Sequence, residues 1–431
     1  PEFSQNSIWE DVLTDRLMTN IEALVKADGS YFESLYTAAS SAVDLLLSIK
    51  SDFENSGRQA PDYIDNTIVN LQRNLMYNSY PNGYMPAFGD GTQFSTFANS
   101  AKIGELFNLS DLKFVGSNGA SGKKPDLTAK ITGKTVSART DWSRNAYMIW
   151  LNAKTGGAHS HKVALNLKMG SNGREILCDT GMSSSDPNHP HYNFQKNLTR
   201  SHNTVEINNT PQRGSDIDDA FTNGKNELAV TSNGLCDTIK AWTEATANFV
   251  HYRDVMFIKN MKFAIVSDYI KAPNSQAVNS YNQSWHFLPD SNARINSETK
   301  TGSSNFNSGT NIKIVQGDSG SIDRAELAEG YYYSPQTTVN YLSYMKNDEA
   351  DCEFNTLLLP NEEGNLFDAA VQMLPVSTVS NKEASAMKIL FQKNDTNQVG
   401  FYYISHDSAP RQRTFDEFSF NYGNYTRMSQ D

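Results

Sequence analysis

The chain of 431 residues is 38% hydrophobic and 11% aromatic, enough to bury two ordinary cores, which excludes a disordered or fibrous protein. A formal charge of −11 disfavours nucleic acid as a partner, and a polyanionic substrate would need a local basic cleft. No apolar run reaches the roughly eighteen residues of a membrane span, and the first residues lack the charged-then-apolar pattern of a signal peptide.

The opening Pro1-Glu2-Phe3 resembles an expression remnant, so a leader or upstream segment is expected to have been removed. Apolar residues then recur three and four apart in Ile8, Val12, Leu13, Leu17, Ile21, Leu24 and Val25, which predicts a helix that Asp28-Gly29 ends. A second helix carries Tyr36, Ala39, Val43, Leu46 and Leu47. A third carries Ile64, Ile68, Leu71 and Leu75, up to the stop at Pro81-Asn82-Gly83. The small polar stretch from Gly116 to Pro125 has linker composition, so the domains are expected at 1–113 and 127–431 with a linker at 114–126.

Beyond the linker, short runs of strand character follow one another: Ala146 to Leu151, Val163 to Leu167, Thr204 to Ile207, Val255 to Ile258 and Phe263 to Ile270. Lys259-Asn260 reads as the turn of a hairpin between the last two. The expected fold is α+β and multidomain, with helical hairpins followed by a large antiparallel β-sandwich. Cys178, Cys236 and Cys352 are far apart and fit no metal-ribbon spacing.

Five of the eight histidines fall between Gly156 and Val205: His159, His161, His189, His191 and His202. His159 and His161 alternate at what should be the start of a strand, so both are expected to point into one cleft. With Asp179 and His202 they make a plausible divalent-metal shell. His189 and His191 sit in turn chemistry, Asp186-Pro187-Asn188-His189-Pro190-His191, and are weaker candidates.

Gly157-Ala158-His159-Ser160-His161, Ile176-Leu177-Cys178-Asp179-Thr180-Gly181 and Arg200-Ser201-His202-Asn203-Thr204-Val205 together resemble the signature of the heparinase II/III-like polysaccharide lyases. Arg139-Thr140-Asp141-Trp142 resembles the strand before that signature. Met85-Pro86-Ala87-Phe88-Gly89-Asp90 resembles the end of the family's α/α toroid, so the resemblance spans roughly residues 27 to 210. It implies a truncated toroid followed by the sandwich, in a secreted or periplasmic enzyme. It also implies β-elimination on a uronic-acid polysaccharide, with a mainly structural metal, zinc first and manganese or calcium next, held by His161, Asp179 and His202.

Asp28-Gly29-Ser30-Tyr31-Phe32-Glu33-Ser34-Leu35-Tyr36-Thr37 resembles the toroid helix that carries the catalytic tyrosine, which points to Tyr36, with Tyr31 second. His159 would face the substrate as alternative base or donor, while Tyr192, Arg200 and Arg139 would hold the sugar. The helical landmark and the compact histidine interval resemble the alginate-cleaving branch more than the heparin-cleaving one, so alginate is the expected substrate and a glycosaminoglycan the alternative. Two departures stand out. Val163 occupies the place of an aspartate that relatives have after the histidine pair. Relatives also neutralise the substrate carboxylate with an Asn-His or similar pair about fifty residues before the tyrosine, so the other half of the toroid is expected as a partner. A metal-dependent hydrolase using Glu175 or Glu206, and a sugar-binding module, are the competing readings.

Overall fold

The computed structural model describes residues 6–33, 36–155, 159–213, 226–274, 277–334, 336–348, 350–362, 367–377, 383–393, 396–406, 412–420 and 425–430. Five helices open the chain: α1 (Asn6–Leu24), α2 (Tyr36–Asn55), α3 (Asp62–Asn78), α4 (Phe97–Leu106) and α5 (Ser110–Gly116). The three-and-four spacing predicts the buried faces of α2 and α3 correctly. Ala39, Val43, Leu46 and Leu47 from α2 meet Ile64, Ile68, Leu71 and Leu75 from α3 in one core. Beyond residue 10 of α1, Leu17, Ile21 and the following Val25 pack against that core, while Val12 and Leu13 are exposed.

Gly29 ends the α1 run for a steric reason. It takes a φ of +79°, and a Cβ there would lie 2.0 Å from the Asn70 carbonyl oxygen of α3. Its own carbonyl accepts from Asn74 Nδ2 at 2.6 Å, so the turn is stitched to α3.

The expected linker is shorter than 114–126. Helix α5 runs to Gly116 and buries Leu112 and Val115, and Gly122 turns back tightly on Ser110, so these residues belong to the helical part.

Five antiparallel strands follow in sequence order: β1 (Ala129–Thr132), β2 (Thr135–Arg139), β3 (Tyr147–Asn152), β4 (Asn166–Ser171) and β5 (Arg174–Leu177). Helix α6 (Pro190–Asn197) and the short strand β6 (Val205–Ile207) come next. An eight-stranded antiparallel sheet includes Val250–Ile258 and Phe263–Lys271, paired as the predicted hairpin with Phe263 opposite Ile258. A four-stranded sheet contains β6, Asn279–His286, Gln336–Asp348 and Arg324–Tyr333. These three sheets share the main core, through Ile149, Leu167, Val255, Val266, Trp285 and Leu342.

The other face of the eight-stranded sheet is covered as well. Met256, Ile258, Ile265 and Leu357 pack on Met387, Ile389 and Tyr402 of a further C-terminal sheet. Burial on both faces explains why Val255–Ile258 and Phe263–Val266 are continuous apolar runs and not alternations. The β region is therefore layered more deeply than a two-sheet sandwich.

The helical and β parts meet along a polar seam. Asn78 Nδ2 donates to Thr132 Oγ1 at 2.8 Å, Trp150 Nε1 donates to Asn78 Oδ1 at 2.9 Å, and the Gly133 amide donates to Asp28 at 2.7 Å. Tyr36, one of the candidate site residues, lies along this seam.

Candidate functional site

His159 and His161 do not begin a strand. They sit in the loop before β4, where His159 has a φ of +62° and Leu165 one of +61°. Gly157 and Ala158 of the same motif lie outside the described residues. The apolar run Val163 to Leu167 looks like a strand because it is buried, but its first half is loop.

The two histidines converge nevertheless, on a residue that sequence reasoning treated only as a fold landmark. Asp90 accepts from His159 Nδ1 at 2.9 Å with one oxygen and from His161 Nε2 at 2.9 Å with the other. Lys196 of α6 adds its ammonium at 3.3 Å. Burial pushes the Asp90 carboxyl up, yet the bonds from His161 and His159 and the Lys196 charge outweigh it and hold it at about 2. His159 remains half-exposed, while burial drives the His161 imidazole down. Val163 is buried among Tyr80, Phe88, Met148 and Trp150, so the carboxylate expected beside the pair comes from Asp90 instead.

Asp179 and His202 form a second, deeper pair. Asp179 accepts from His202 Nδ1 at 3.1 Å and from Asn166 Nδ2, and Lys168 stands 3.9 Å away. Burial raises the Asp179 carboxyl, but the His202 and Lys168 charges keep it far below the usual carboxylate range. The His161 and His202 rings lie 5.6 Å apart, and His161 Nδ1 and His202 Nε2 are buried without a partner.

Those two nitrogens suit a borderline-soft divalent ion such as zinc. As placed, however, no group of three or more His, Cys, Asp or Glu among the described residues is arranged to hold a metal ion. The shell expected at His161, Asp179 and His202 is not closed, because Asp179 is engaged by His202 itself.

Asn203 fixes this region. Its side-chain amide donates to the Leu167 and Cys178 carbonyls, both at 2.8 Å, and its Oδ1 accepts from the His286 amide at 2.6 Å. Its backbone amide donates to Asn166 Oδ1 at 2.9 Å. Arg253, from the eight-stranded sheet, holds the Asn203 and Leu165 carbonyls with Nη1 at 2.5 and 2.6 Å. A buried sheet arginine thus positions both histidine-bearing loops.

The tyrosine site lies on the seam. Tyr36 opens α2, its hydroxyl meets Thr135 Oγ1 at 3.3 Å, and its ring packs on Phe88 and Trp150 at 6.4 and 6.2 Å. Burial pushes the phenol well above its ordinary range. Beside it lies a cavity of about 20 Å³, which Tyr31, Ser30, Glu33 and Lys154 also line. The loop 85–90 touches both centres, since Phe88 packs on Tyr36 and Asp90 holds His159.

The expected sugar-binding arginines are otherwise engaged. Arg139 is buried and donates to the Tyr77 and Ser79 carbonyls at 2.6 and 2.9 Å, so it caps the C-terminal end of α3, and it does not line the Tyr36 cavity. Burial lowers its guanidinium to about 9. Arg200 is paired with buried Glu206 at 2.9 Å. Tyr192 sits on α6 with the Lys196 ammonium 5.5 Å from its ring. His189 Nδ1 accepts from the His191 amide at 3.2 Å and caps α6, while His191 stacks on Tyr331 at 4.0 Å. Glu175, considered as a hydrolytic base, is bonded by Tyr80 and Gln93 at 2.7 and 3.0 Å, and burial raises it to about 7.

A family model described as heparinase II/III-like, C-terminal, matches residues 138–386, and one described as heparinase II/III N-terminus matches residues 1–112. Heparan sulfate lyase HepC from Pedobacter heparinus superposes with a TM-score of 0.77 at 20% identity, covering 91% of this chain and 63% of that one. A heparinase III gene product gives 0.78 at 19% identity, covering 93% and 62%. A structure described as heparinase III gives 0.74 at 16% identity, covering 93% and 64%. The chain thus spans less than two thirds of the length of these structures, and at such identities the likeness speaks to the fold alone. No curated protein matches the chain.

Proposed function

Because this chain belongs to the heparinase II/III-like family, we propose that it acts as a polysaccharide lyase on a uronic-acid glycosaminoglycan of the heparan type. Heparan-type polymers replace alginate as the first substrate to test, because one superposing structure is described as a heparan sulfate lyase and two as heparinase III, and no described feature favours alginate. The location that goes with this reading is secreted or periplasmic.

The observation that carries the proposal is the Asp90–His159 pair. With its Nδ1 proton held by Asp90, the half-exposed His159 ring leaves Nε2 free to take a proton. β-Elimination needs that base for the C5 proton of a uronate, and a proton donor for the C4 oxygen that leaves. Tyr36 suits the donor role better than the base role, because burial keeps its phenol protonated. Lys196 and Tyr192 stand on α6 at the edge of the same cluster, where they would contact the sugar.

A divalent metal at His161, Asp179 and His202 stays part of the proposal. Bound there, it would brace the loops beneath the site, and the two orphan ring nitrogens are its support. Elemental analysis of the purified protein and its melting temperature with and without chelator test this. Bound metal and a lower melting temperature on chelation are expected, and a metal-free protein indifferent to added zinc removes the ion.

The activity test is the ultraviolet absorbance of the unsaturated uronate on heparan sulfate, heparosan, hyaluronate, pectate and alginate. A rise on a heparan-type polymer is expected, reduced by about 10²- to 10⁴-fold in His159→Ala and abolished in Tyr36→Phe. A rise on alginate alone restores that substrate, and no rise on any polymer sinks the lyase reading.

A further inference from the structure

Four lysines of the described chain are buried: Lys154, Lys168, Lys259 and Lys346. Three have a carboxylate within ion-pair distance: Lys168 has Asp179 at 3.9 Å, Lys259 has Asp237 at 2.8 Å and Lys346 has Asp318 at 3.5 Å. Lys154 has none among the described residues. It lies two residues after β3, is 9% exposed, and among the described residues its ammonium reaches only the Glu33 carbonyl, at 3.5 Å. Asp28, whose charge it feels, is committed to the Gly133 and Ser30 amides at 2.7 and 2.9 Å.

An ammonium taken out of water without a counter-charge destabilises the fold, and burial lowers this one to about 8. The fold tolerates it at one place, the seam cavity that Tyr36 also lines. That cavity has room for little more than a water-sized polar group and none for a sugar ring, and its other polar walls are Ser30, Glu33, Asn74, Thr132 and Thr135. A carboxylate at its mouth would find the Lys154 ammonium and several neutral hydrogen-bonding groups, and it would supply the counter-charge that Glu33, which meets Lys154 only through its backbone carbonyl, does not.

We propose that Lys154 is a specificity-determining residue that binds the uronate carboxylate of the saccharide in the Tyr36 cavity. This deepens the reading above and rests on it. A carboxylate held by Lys154 places the adjoining C5 within the same cleft as Tyr36, and neutralises the charge that would otherwise oppose formation of the enolate. Sulfate is the other acidic group that such polymers carry, and the test separates the two.

The experiment is isothermal titration of the wild type and of Lys154→Met with an unsulfated heparosan tetrasaccharide, its carboxyl-reduced counterpart, and an N-sulfated tetrasaccharide. Methionine matches the lysine stem, so the variant is expected to fold and to melt higher than the wild type. Wild type should bind the carboxylated sugar at least about tenfold more tightly than the reduced one, and Lys154→Met should erase that difference. A preference that survives in Lys154→Met, or a wild type that ignores carboxyl reduction, overturns the proposal. Dependence on N-sulfation alone overturns the choice of carboxylate. Because the readout is binding, Lys154-dependent capture of the carboxylate without turnover of any polymer would sink the lyase reading and leave this site standing.

Discussion

Arg253 and Lys154 are both buried cations, and their surroundings differ completely. Arg253 uses its whole fork: Nε and Nη2 meet Asp268 at 2.7 and 2.8 Å, and Nη1 holds two loop carbonyls. Asp268 is itself shared with His251 and Gln283 at 2.6 and 2.9 Å. Lys154 has one long bond to a carbonyl. A buried charge whose partners are complete is there to hold geometry, because removing either member strands the other. A buried charge left incomplete costs stability in the free protein, and it is retained where something from outside completes it.

The largest expected effect tests the complete cluster. Arg253→Met leaves Asp268 with too few donors and frees the Asn203 and Leu165 carbonyls, at a cost of about 3–5 kcal/mol in urea unfolding. A loss below about 1 kcal/mol would mean the cluster is not the clamp described above.

The incomplete site should respond with the opposite sign. The folded Lys154 ammonium titrates at about 8, below the ordinary 10.5, so the unfolded chain holds this proton more tightly. The penalty is full below pH 8 and disappears as the pH rises to 10.5. Lys154→Met is therefore expected to gain about 3 kcal/mol at pH 7, a gain that fades by pH 11. A loss at pH 7 would place Lys154 with the structural cations.

Glu175 sharpens the contrast, since it is a buried acid bonded by neutral partners, and the nearby Lys168 charge does not offset its burial. Its folded value of about 7 lies above the ordinary 4.5, so its favourable term is full below pH 4.5 and lost as the pH rises through 7. Glu175→Gln should be nearly neutral at pH 4.5 and should stabilise by about 2 kcal/mol at pH 8, with the weaker bond to Tyr80 offsetting the rest. Equal effects at both pH values would show that the carboxyl is ionised throughout. The smallest change is expected for Tyr36→Phe, under about 1 kcal/mol, because the hydroxyl makes only weak contacts, with Thr135 at 3.3 Å and with Trp150, and the ring packing is kept. Thermal melts beside the activity assay would read it.

Much of this was legible in the sequence. The helical spacing in Ile64, Ile68, Leu71 and Leu75 follows from a one-sided core, and the Lys259-Asn260 turn follows from local chemistry. The three signature motifs identify a family whose fold is the one observed. What the sequence hides depends on long-range placement. Arg139 reads as a ligand-binding cation until the end of α3 is known to lie against it. The histidine loop reads as a strand because burial alone makes Val163 to Leu167 apolar. Asp90 is separated from His161 by 71 positions, so no spacing rule connects them. Lys154, five residues before His159, becomes conspicuous only when burial and the missing counter-charge are seen together.

Asn203 carries a consequence for the order of events in folding. Its side chain joins residues 36, 25 and 83 positions away, and Arg253 reaches its carbonyl from 50 positions away. None of these bonds can form until three sheets have assembled, so loop-closure entropy delays them all together. The histidine loops should therefore acquire protection from hydrogen exchange late in refolding, well after α2 and α3. Pulse-labelled exchange would read that order, and early protection of the Asn203 amide would contradict it.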